Sequence, residues 1–296
     1  MRIAVLLQCH KNLQQIRWLV ETLQHPSVDI YVHIDKKSHI AREAESLEGV
    51  FLLPDPLRVD VQWGKLSQVD ATLHLLEYAR SGGPYDYYWL ISGQDVLLKD
   101  IDAIVHLLEQ DKTASYMETS PSVSFRKRCE LYYPQWMIGG NLSQRICRRL
   151  YQELTGGRRR TFPLFLRRRM PVKSFYFGSS WWCLTGDAVA WILEYLQDHP
   201  DYRTFFHGAL CPDEVFFQTL FMHSPYASNR RDKLCYVKWS GARGGHPEVL
   251  TMSDLPDLLN TSYVIARKFD ADADRKVILA LMNRNRDTKP MGEKES

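Results

Sequence analysis

The sequence predicts an α/β fold with a mostly parallel central sheet flanked by helices. Short β-rich segments alternate with amphipathic segments through the N-terminal third, an order typical of parallel sheets covered on both faces. The segment 87–91 (YYWLI) has the composition of a buried strand. Hydrophobic residues make up 45% of the 296-residue chain and aromatic residues 12%, which supplies a packed core and excludes disorder as the main state.

The predicted elements follow one another in a regular order. In the N-terminal third they are a strand over residues 3–7, a helix over 13–23, a strand over 28–34, a helix over 65–80, the strand over 87–91 and a helix over 101–109. After the middle of the chain they are an ordered segment over 175–184, a helix over 187–196, a helix beginning at Pro212, strands near 234–237 and 263–265, and a last helix beyond Asp272.

We expect one domain over residues 1–285, with a basic insertion over about 120–173 and a polar tail over 286–296. Periodicity weakens from Lys112 to Lys173, and this stretch holds many basic side chains. They are Arg145, Arg148, Arg149, Arg158, Arg159, Arg160, Arg167, Arg168, Arg169 and Lys173. Because the net charge of the whole chain is only +3, their concentration needs its own explanation.

Four interpretations of the basic insertion are open. It can be a solvated face, or it can attract an anionic membrane surface, an anionic acceptor or a nucleic acid. The sequence contains no RNA-binding motif, so nucleic acid is not an expected partner. No apolar segment approaches the roughly 20 residues of a membrane span. We therefore expect a cytoplasmic protein that is at most peripheral at the inner face of a membrane.

Two carboxylates stand directly after predicted strands. Asp35 ends the segment that begins at Tyr31, and Asp95 ends the segment that begins at Leu90. In open sheets of this type ligands bind beyond the carboxyl ends of the strands. Both acids are therefore candidate ligand-binding residues, although a helix cap or a turn explains each of them as well.

Glu214 lies in the segment Cys211-Pro212-Asp213-Glu214, at the predicted start of a helix. One interpretation is that acids in the first helical turn complement the helix dipole. The other is that a carboxylate held rigidly there accepts a proton from an attacking hydroxyl group. The segment alone does not decide between them.

Six segments in a fixed order decide the matter. They are residues 32–38 (VHIDKKS), 63–69 (WGKLSQV), 90–95 (LISGQD), 178–185 (GSSWWCLT), 212–214 (PDE) and 266–270 (ARKFD). Together they resemble the core-2/I-branching family of glycosyltransferases, which includes the peptide O-xylosyltransferases. The resemblance covers most of the chain. Golgi relatives carry an N-terminal membrane anchor, and because none is seen in this sequence we expect a bacterial-type member.

The resemblance implies a GT-A type fold with a Rossmann-like sheet, a UDP-sugar donor, inversion at the anomeric carbon, and neither a divalent metal nor another cofactor. The residues agree on the metal, because the central strand ends in Gly93-Gln94-Asp95 rather than in a paired Asp-x-Asp. The run of alternating acids over residues 270–274 is expected to cap the last helix. The six cysteines are widely spaced and predict reduced thiols rather than a metal cage.

The resemblance also assigns roles to individual residues. It makes Glu214 the catalytic base, places Asp35 beside the uracil and Lys268 on the diphosphate. We group Asp95 with the donor-binding residues because it follows a predicted strand, and Arg267 because it neighbours Lys268. Arg267 and Lys268 can also be surface charges, but the flanking Ile265 and Phe269 favour a site.

A second phosphate-binding cation has no clear match in the sequence. Arg243 and His246 are candidates, and Gly244 and Gly245 between them permit close backbone approach to a phosphate. His10 and Lys11 follow the first strand at the same predicted sheet edge and are further candidates for contact with the nucleotide. A lone histidine in such a place is also commonly structural.

Trp181, Trp182 and Trp239 are candidate acceptor-binding residues, because an indole face suits the C–H face of a sugar; ordinary core packing is the alternative. The predicted reaction transfers N-acetylglucosamine or xylose to a glycan, a lipid-linked glycan or a protein, in the synthesis of a surface glycan. The rival interpretations are a metal-dependent nucleotidyltransferase and a non-catalytic module that binds polyanions. The first lacks the expected glycine-rich loop, since residues 8–12 (QCHKN) contain no glycine.

Overall fold

The computed structural model describes residues 1–121, 127–156, 168, 170–241 and 246–287. In these residues the strands are β1 (Ile3–Cys9), β2 (Val28–Ile34), β3 (Phe51–Leu52), β4 (Tyr87–Ser92), β5 (Asp95–Leu97), β6 (Ser115–Tyr116), β7 (Cys183–Thr185), β8 (Arg230–Arg231), β9 (Cys235–Val237) and β10 (Ile265–Arg267). The α-helices are α1 (Leu13–Leu23), α2 (Ser67–Ser81), α3 (Ile101–Gln110), α4 (Lys127–Glu130), α5 (Leu142–Gly156), α6 (Gly186–Asp198), α7 (Pro200–Phe206), α8 (Phe216–His223), α9 (Leu255–Asn260) and α10 (Ala271–Asp287).

The main sheet has seven strands in the order β3-β2-β1-β4-β7-β6-β8. The four neighbouring strands β3, β2, β1 and β4 are parallel to one another. Strand β7 is antiparallel to both of its neighbours, and β8 is parallel to β6. A second sheet of three strands has the order β5-β10-β9. The predicted mostly parallel sheet is therefore confirmed, and with it the Rossmann-like α/β class.

The main sheet is covered on both faces because successive side chains of its strands point in opposite directions. Val5 and Leu7 of β1 pack into the cluster that α1 and α3 complete. Ala4 and Leu6 pack into the opposite cluster, with α2, α6, α7 and α8. The predicted helices therefore lie on the two faces of the sheet, as a buried parallel sheet requires.

The register brings the carboxyl ends of three central strands to one edge. Gln8 of β1 pairs with His33 of β2 on one side and with Ser92 of β4 on the other. The residues that follow these strands therefore share that edge, which is where ligands bind in sheets of this class. His10, Asp35 and the Gly93 turn are among them.

Helix α5 departs from the prediction of weak order in the middle of the chain. It spans Leu142–Gly156, within the stretch expected to be an irregular insertion. The apolar residues of α5 recur every four positions. The arginines between them lower the mean hydropathy of the segment, so this period is hard to recognise in the sequence. Five of the basic residues lie outside the described residues: Arg158, Arg159, Arg160, Arg167 and Arg169.

Two further features bear on the sequence predictions. All six cysteines are free thiols, as their spacing predicts. Within the described residues, no helix has both the length and the apolar character needed to cross a bilayer.

Candidate active site

Glu214 lies in a single 3-10 turn, Pro212–Glu214, that precedes helix α8. Cys211 begins this turn with φ +52°, in the left-handed region, and Val215 ends it with φ −142°. Helix α8 starts only after Val215, so the expectation that Glu214 occupies its first turn is corrected. Because Val215, which is not helical, separates the turn from the helix, the dipole of α8 is a weaker explanation for this acid than the sequence indicated.

The Glu214 carboxylate forms an ion pair with the Arg128 guanidinium, which donates a hydrogen bond to Glu214 Oε2. Backbone contacts hold both partners: Leu210 N–H donates to the Arg128 carbonyl at 2.9 Å and Cys211 N–H to the Gly64 carbonyl at 2.9 Å. Burial lowers the pKa of Arg128, but the charge of Glu214, its hydrogen bond and the neighbouring Cys211 and Asp213 together raise that pKa above its ordinary value. The Glu214 side chain remains 40% exposed, so a substrate can reach a carboxylate of fixed position.

Asp213, the neighbour of Glu214, accepts a hydrogen bond of 2.6 Å from Ser180 Oγ. Desolvation by burial, followed by the charge of Glu214, raises the pKa of Asp213 from its ordinary 3.8 to about 6. Two adjacent carboxyl groups therefore differ in role: Asp213 is tied into the protein, whereas Glu214 faces Arg128 and solvent.

Replacing Asp213 with Asn is expected to change how stability depends on pH. The raised pKa means that the folded state holds this proton more tightly than the unfolded state. The contribution of Asp213 to stability is therefore present below the unfolded pKa near 4 and is lost as pH rises through about 6. Relative to the wild type, the Asn variant should gain on the order of 2 kcal/mol between pH 4 and pH 7.

Urea denaturation of both proteins at several pH values measures this difference. A difference in the free energy of unfolding that stays constant from pH 4 to pH 7 would show that the Asp213 pKa is not raised.

The segment 178–181 connects this turn to the small sheet. Gly178 N–H donates to the Glu214 carbonyl at 2.9 Å. A Cβ atom at Gly178 would lie 1.8 Å from the Glu118 carbonyl oxygen, so only glycine fits where the two backbones approach. Trp181, at the other end of the segment, lies beneath Arg267 of β10.

Arg267 is held between an aromatic ring and a buried acid. Its Cζ atom lies 4.2 Å from the centre of the Trp181 ring and its Nε atom 3.6 Å from Asp95 Oδ1. Asp95 Oδ2 also accepts the Ser92 N–H at 2.8 Å. Burial raises the pKa of Asp95 and the charge of Arg267 partly offsets that rise. Asp95 thus faces the protein interior and positions Arg267.

Lys268 follows Arg267 in a tightly fixed backbone. Its carbonyl accepts the Leu250 N–H at 2.8 Å, and Phe269 N–H donates to the Gln94 carbonyl at 2.8 Å. The Phe269 carbonyl accepts the side-chain amides of Gln94 at 3.2 Å and Gln15 at 3.3 Å. These contacts fix the backbone from which the Lys268 side chain extends.

A cationic cluster of His10, Lys11 and Lys268 forms where β1 and β10 end. In the described part of the chain, no residue hydrogen-bonds or ion-pairs with the Lys268 ammonium group. Burial lowers the pKa of Lys268, and the charges of Lys11 and Arg267 lower it further. Partial desolvation, Lys11 and Lys268 likewise lower the pKa of His10. Lys11 forms an ion pair with Asp270 at 2.7 Å, and the same carboxylate partly offsets the lowered pKa of Lys268.

Asp35 lies at the same sheet edge as this cluster. It is buried, and its backbone N–H donates to the Cys9 carbonyl at 2.8 Å. Its carboxylate accepts the Lys37 N–H at 3.1 Å and lies 3.4 Å from Lys37 Nζ. The charge of Asp35 also acts on His10, so the predicted nucleotide residue and the cationic cluster are neighbours.

The three tryptophans differ in position. Trp182 is 2% exposed, and the centre of its ring lies 5.3 Å from that of Phe217. This position favours core packing over contact with an acceptor. Trp239 is more than half exposed. Trp181 is partly exposed, with one face covered by Arg267. Of the three, Trp239 alone is more than half exposed.

The remaining predictions concern the second cation and a metal. Arg243 lies outside the described residues, and His246 is exposed. Asp270 and Asp274 accept backbone N–H groups of α10 and therefore cap it as expected. The described residues contain no group of three or more His, Cys, Asp or Glu side chains that could hold a metal ion.

Sequence reasoning missed Arg128 and Ser180. Arg128 precedes Glu214 by 86 positions and lies where the sequence shows little pattern. Its only local signal is the run Arg126-Lys127-Arg128. Ser180 lies within a recognised segment, but nothing in that segment indicates its bond to Asp213.

Two comparisons with known proteins bear on this geometry. The sequence model of the family described as Core-2/I-Branching enzyme matches residues 3–258. The match contains Asp35, Asp95 and Glu214 and ends before Arg267 and Lys268. Among curated proteins, none matches the chain.

Proposed function

The chain belongs to the core-2/I-branching enzyme family and is a glycosyltransferase, and from this premise we propose that it transfers a sugar from a UDP-sugar to an acceptor hydroxyl group with inversion. The proposed donor sugar is N-acetylglucosamine or xylose, and the proposed product is β-linked. One observation carries the proposal: the segment 178–181 joins a fixed carboxylate, Glu214, to a group of cations around Lys268. A base and an anion-binding cluster in one site are what a single displacement requires.

In the proposed reaction Glu214 accepts the proton of the acceptor hydroxyl as that oxygen attacks the anomeric carbon. The bond between this carbon and the diphosphate oxygen breaks on the opposite face, and UDP leaves with the electron pair. Arg128 serves as a positioning residue, because its ion pair fixes the direction of the Glu214 carboxylate. General-base catalysis of this kind contributes about 10²–10⁴-fold to a rate.

The leaving diphosphate gains negative charge, and we propose that Lys268 stabilises it, with Lys11 as the second cation and His10 as a hydrogen-bond donor. Burial, followed by the neighbouring positive charges, lowers the pKa values of Lys268 and His10, and a bound diphosphate would offset both effects. We propose that Asp35 accepts the uracil imide N–H, and that Arg267 adds positive charge beside Lys268.

We further propose that transfer needs no divalent metal. Asp95, the acid that follows the central strand β4, is buried and directed at Ser92 N–H and Arg267. A cation bridging a diphosphate requires carboxylates that face the ligand. In this site the fixed cations take that role.

The proposed acceptor is a glycan, free or linked to lipid or protein, in the synthesis of a surface glycan. Its hydroxyl group must approach Glu214 from the exposed side of the carboxylate. Trp239 and the exposed part of Trp181 are the proposed contact surfaces for its sugar rings.

Release of UDP from a panel of UDP-sugars, measured with and without excess EDTA, tests donor, class and metal independence together. We expect slow hydrolysis of UDP-N-acetylglucosamine or UDP-xylose at a rate that EDTA leaves unchanged. Release that requires added Mg²⁺ or Mn²⁺ would contradict metal independence. Absence of UDP binding, together with strongly salt-dependent binding of polyanions, would favour the non-catalytic interpretation.

A further inference from the structure

Helix α5 carries a line of apolar side chains that face solvent. The residues are Leu142, Ile146, Leu150 and Leu154, and each is more than half exposed. Residues four apart lie on one side of an α-helix, so these side chains form a continuous stripe over the length of α5. Scattered exposed leucines are ordinary, but a continuous apolar stripe indicates a binding surface.

The opposite side of α5 accounts for the packing of the helix. Arg148 is buried and donates to the carbonyls of Met137 at 2.9 Å and Gly139 at 2.6 Å. Tyr151 packs against Tyr133, with ring centres 5.6 Å apart. Because these contacts attach the helix to the protein, the stripe is not needed for folding.

Positive charge runs beside the stripe. Arg145 and Arg149 lie one position before Ile146 and Leu150 along the helix, and both are exposed. The one acid of the helix, Glu153, is paired with Arg149 at 3.1 Å. The sequence then continues into Arg158-Arg159-Arg160. An apolar stripe edged by arginines matches a surface that is apolar below and anionic above.

We propose that α5 lies in the plane of an anionic phospholipid membrane, with its leucine and isoleucine side chains inserted among the acyl chains. Arg145 and Arg149 extend to the phosphate groups at the membrane surface. This identifies the part of the basic insertion that makes contact and the chemistry of its partner. A protein partner would satisfy the apolar stripe, but it would not by itself explain the arginines that follow α5 in the sequence.

The position of α5 connects membrane binding to the active site. The cluster beneath the helix contains Leu131, Ile138 and Leu210, packed against Cys211. Arg128 and Glu214 lie on the two chain segments that leave this cluster. A membrane-bound α5 therefore places the base near the lipid surface, where the acceptor of the proposed function would be lipid-linked; this last step rests on that function.

Sedimentation of the full chain with vesicles tests the membrane contact. We expect binding to vesicles of phosphatidylcholine with phosphatidylglycerol and little binding to phosphatidylcholine alone. Leu150→Glu should weaken binding by at least about tenfold, because it removes one leucine that would insert among the acyl chains. The double change Arg145→Gln and Arg149→Gln should weaken it by about 10–30-fold at low salt.

Leu57→Glu is the matched control, because Leu57 is a similarly exposed leucine in a separate 3-10 helix. It should leave vesicle binding unchanged. Hydrolysis of the UDP-sugar should be the same in all variants, which shows that each is folded and separates a failure of this proposal from a failure of the proposed reaction.

Two results would overturn the proposal. The first is vesicle binding by Leu150→Glu equal to that of the wild type. The second is a dimer of the wild-type chain that Leu150→Glu converts to a monomer in the absence of any vesicle binding, since the stripe would then be a contact between two copies of the chain.

Discussion

Glu214→Gln is expected to lower kcat by about 10²–10⁴-fold while UDP affinity changes by less than about twofold. The amide has the size of the carboxylate and still offers an oxygen to Arg128, so the turn should keep its shape. It cannot accept the proton of the acceptor hydroxyl group. The loss should therefore appear in the chemical step rather than in donor binding.

The matched control for Glu214 is Glu109→Gln. Glu109 is exposed to a similar degree, 38%, and forms an ion pair with the amino terminus, which precedes β1, rather than with Arg128. It should retain full activity and bind UDP normally. Near-normal turnover by Glu214→Gln, measured under saturating donor and acceptor, would remove Glu214 as the base.

Lys268→Met is expected to have the second largest effect. It keeps the apolar stem of the side chain and removes the charge, so the fold should persist. Loss of a charge-assisted bond to phosphate should weaken UDP binding by about 10–100-fold, and kcat should fall by about 10²–10³-fold because the leaving group loses its cation. Uridine, which has no phosphate, should bind both proteins equally.

Isothermal titration with UDP and with uridine separates these effects. Lys99→Met serves as the control. Lys99 is also half-buried, but it lies beyond the Leu97 end of β5, whereas Lys268 lies beyond the end where Arg267 pairs with Asp95. Equal UDP affinity in Lys268→Met and the wild type would show that Lys268 does not contact the diphosphate. A parallel loss of uridine binding would instead indicate a distorted site.

The sequence predicts the long strands of the sheet well because each is a buried, continuous run of apolar residues that can be recognised within the strand itself. The strand over 28–34 and the helix over 13–23 agree with the structure in both bounds. The strand β10 begins at Ile265, where a strand over 263–265 was predicted. Short edge elements such as β3 and β6 have two residues each and leave too little pattern to be found.

Parts of the site depend on contacts between distant segments, which no local pattern encodes. Arg128 pairs with Glu214 across a chain separation of 86 positions. Trp182 packs against Phe217, 35 positions later in the chain, which explains why the sequence left the core and acceptor interpretations open. His10 and Lys11 were placed at the correct sheet edge, but their closeness to Lys268 became visible only through the structure.

Helix α5 illustrates another limit of pattern reading. Its period is present in the sequence, as Leu142, Ile146, Leu150 and Leu154, yet the stripe faces outward. Sequence reasoning takes apolar residues at helical spacing to face the protein core. It therefore does not recognise a stripe that packs against a partner outside the protein. The arginines on the same helix then make the segment resemble a solvated insertion.

The anomeric form of the sugar first released from the accepted UDP-sugar, followed by proton NMR during slow hydrolysis, tests the proposed mechanism most directly. Here water replaces the acceptor hydroxyl group, so no knowledge of the acceptor is required. A single displacement assisted by Glu214 predicts that the β-anomer appears first and that Glu214→Gln suppresses its appearance. Initial release of the α-anomer would contradict inversion, and with it the role of Glu214 as the base of a single displacement.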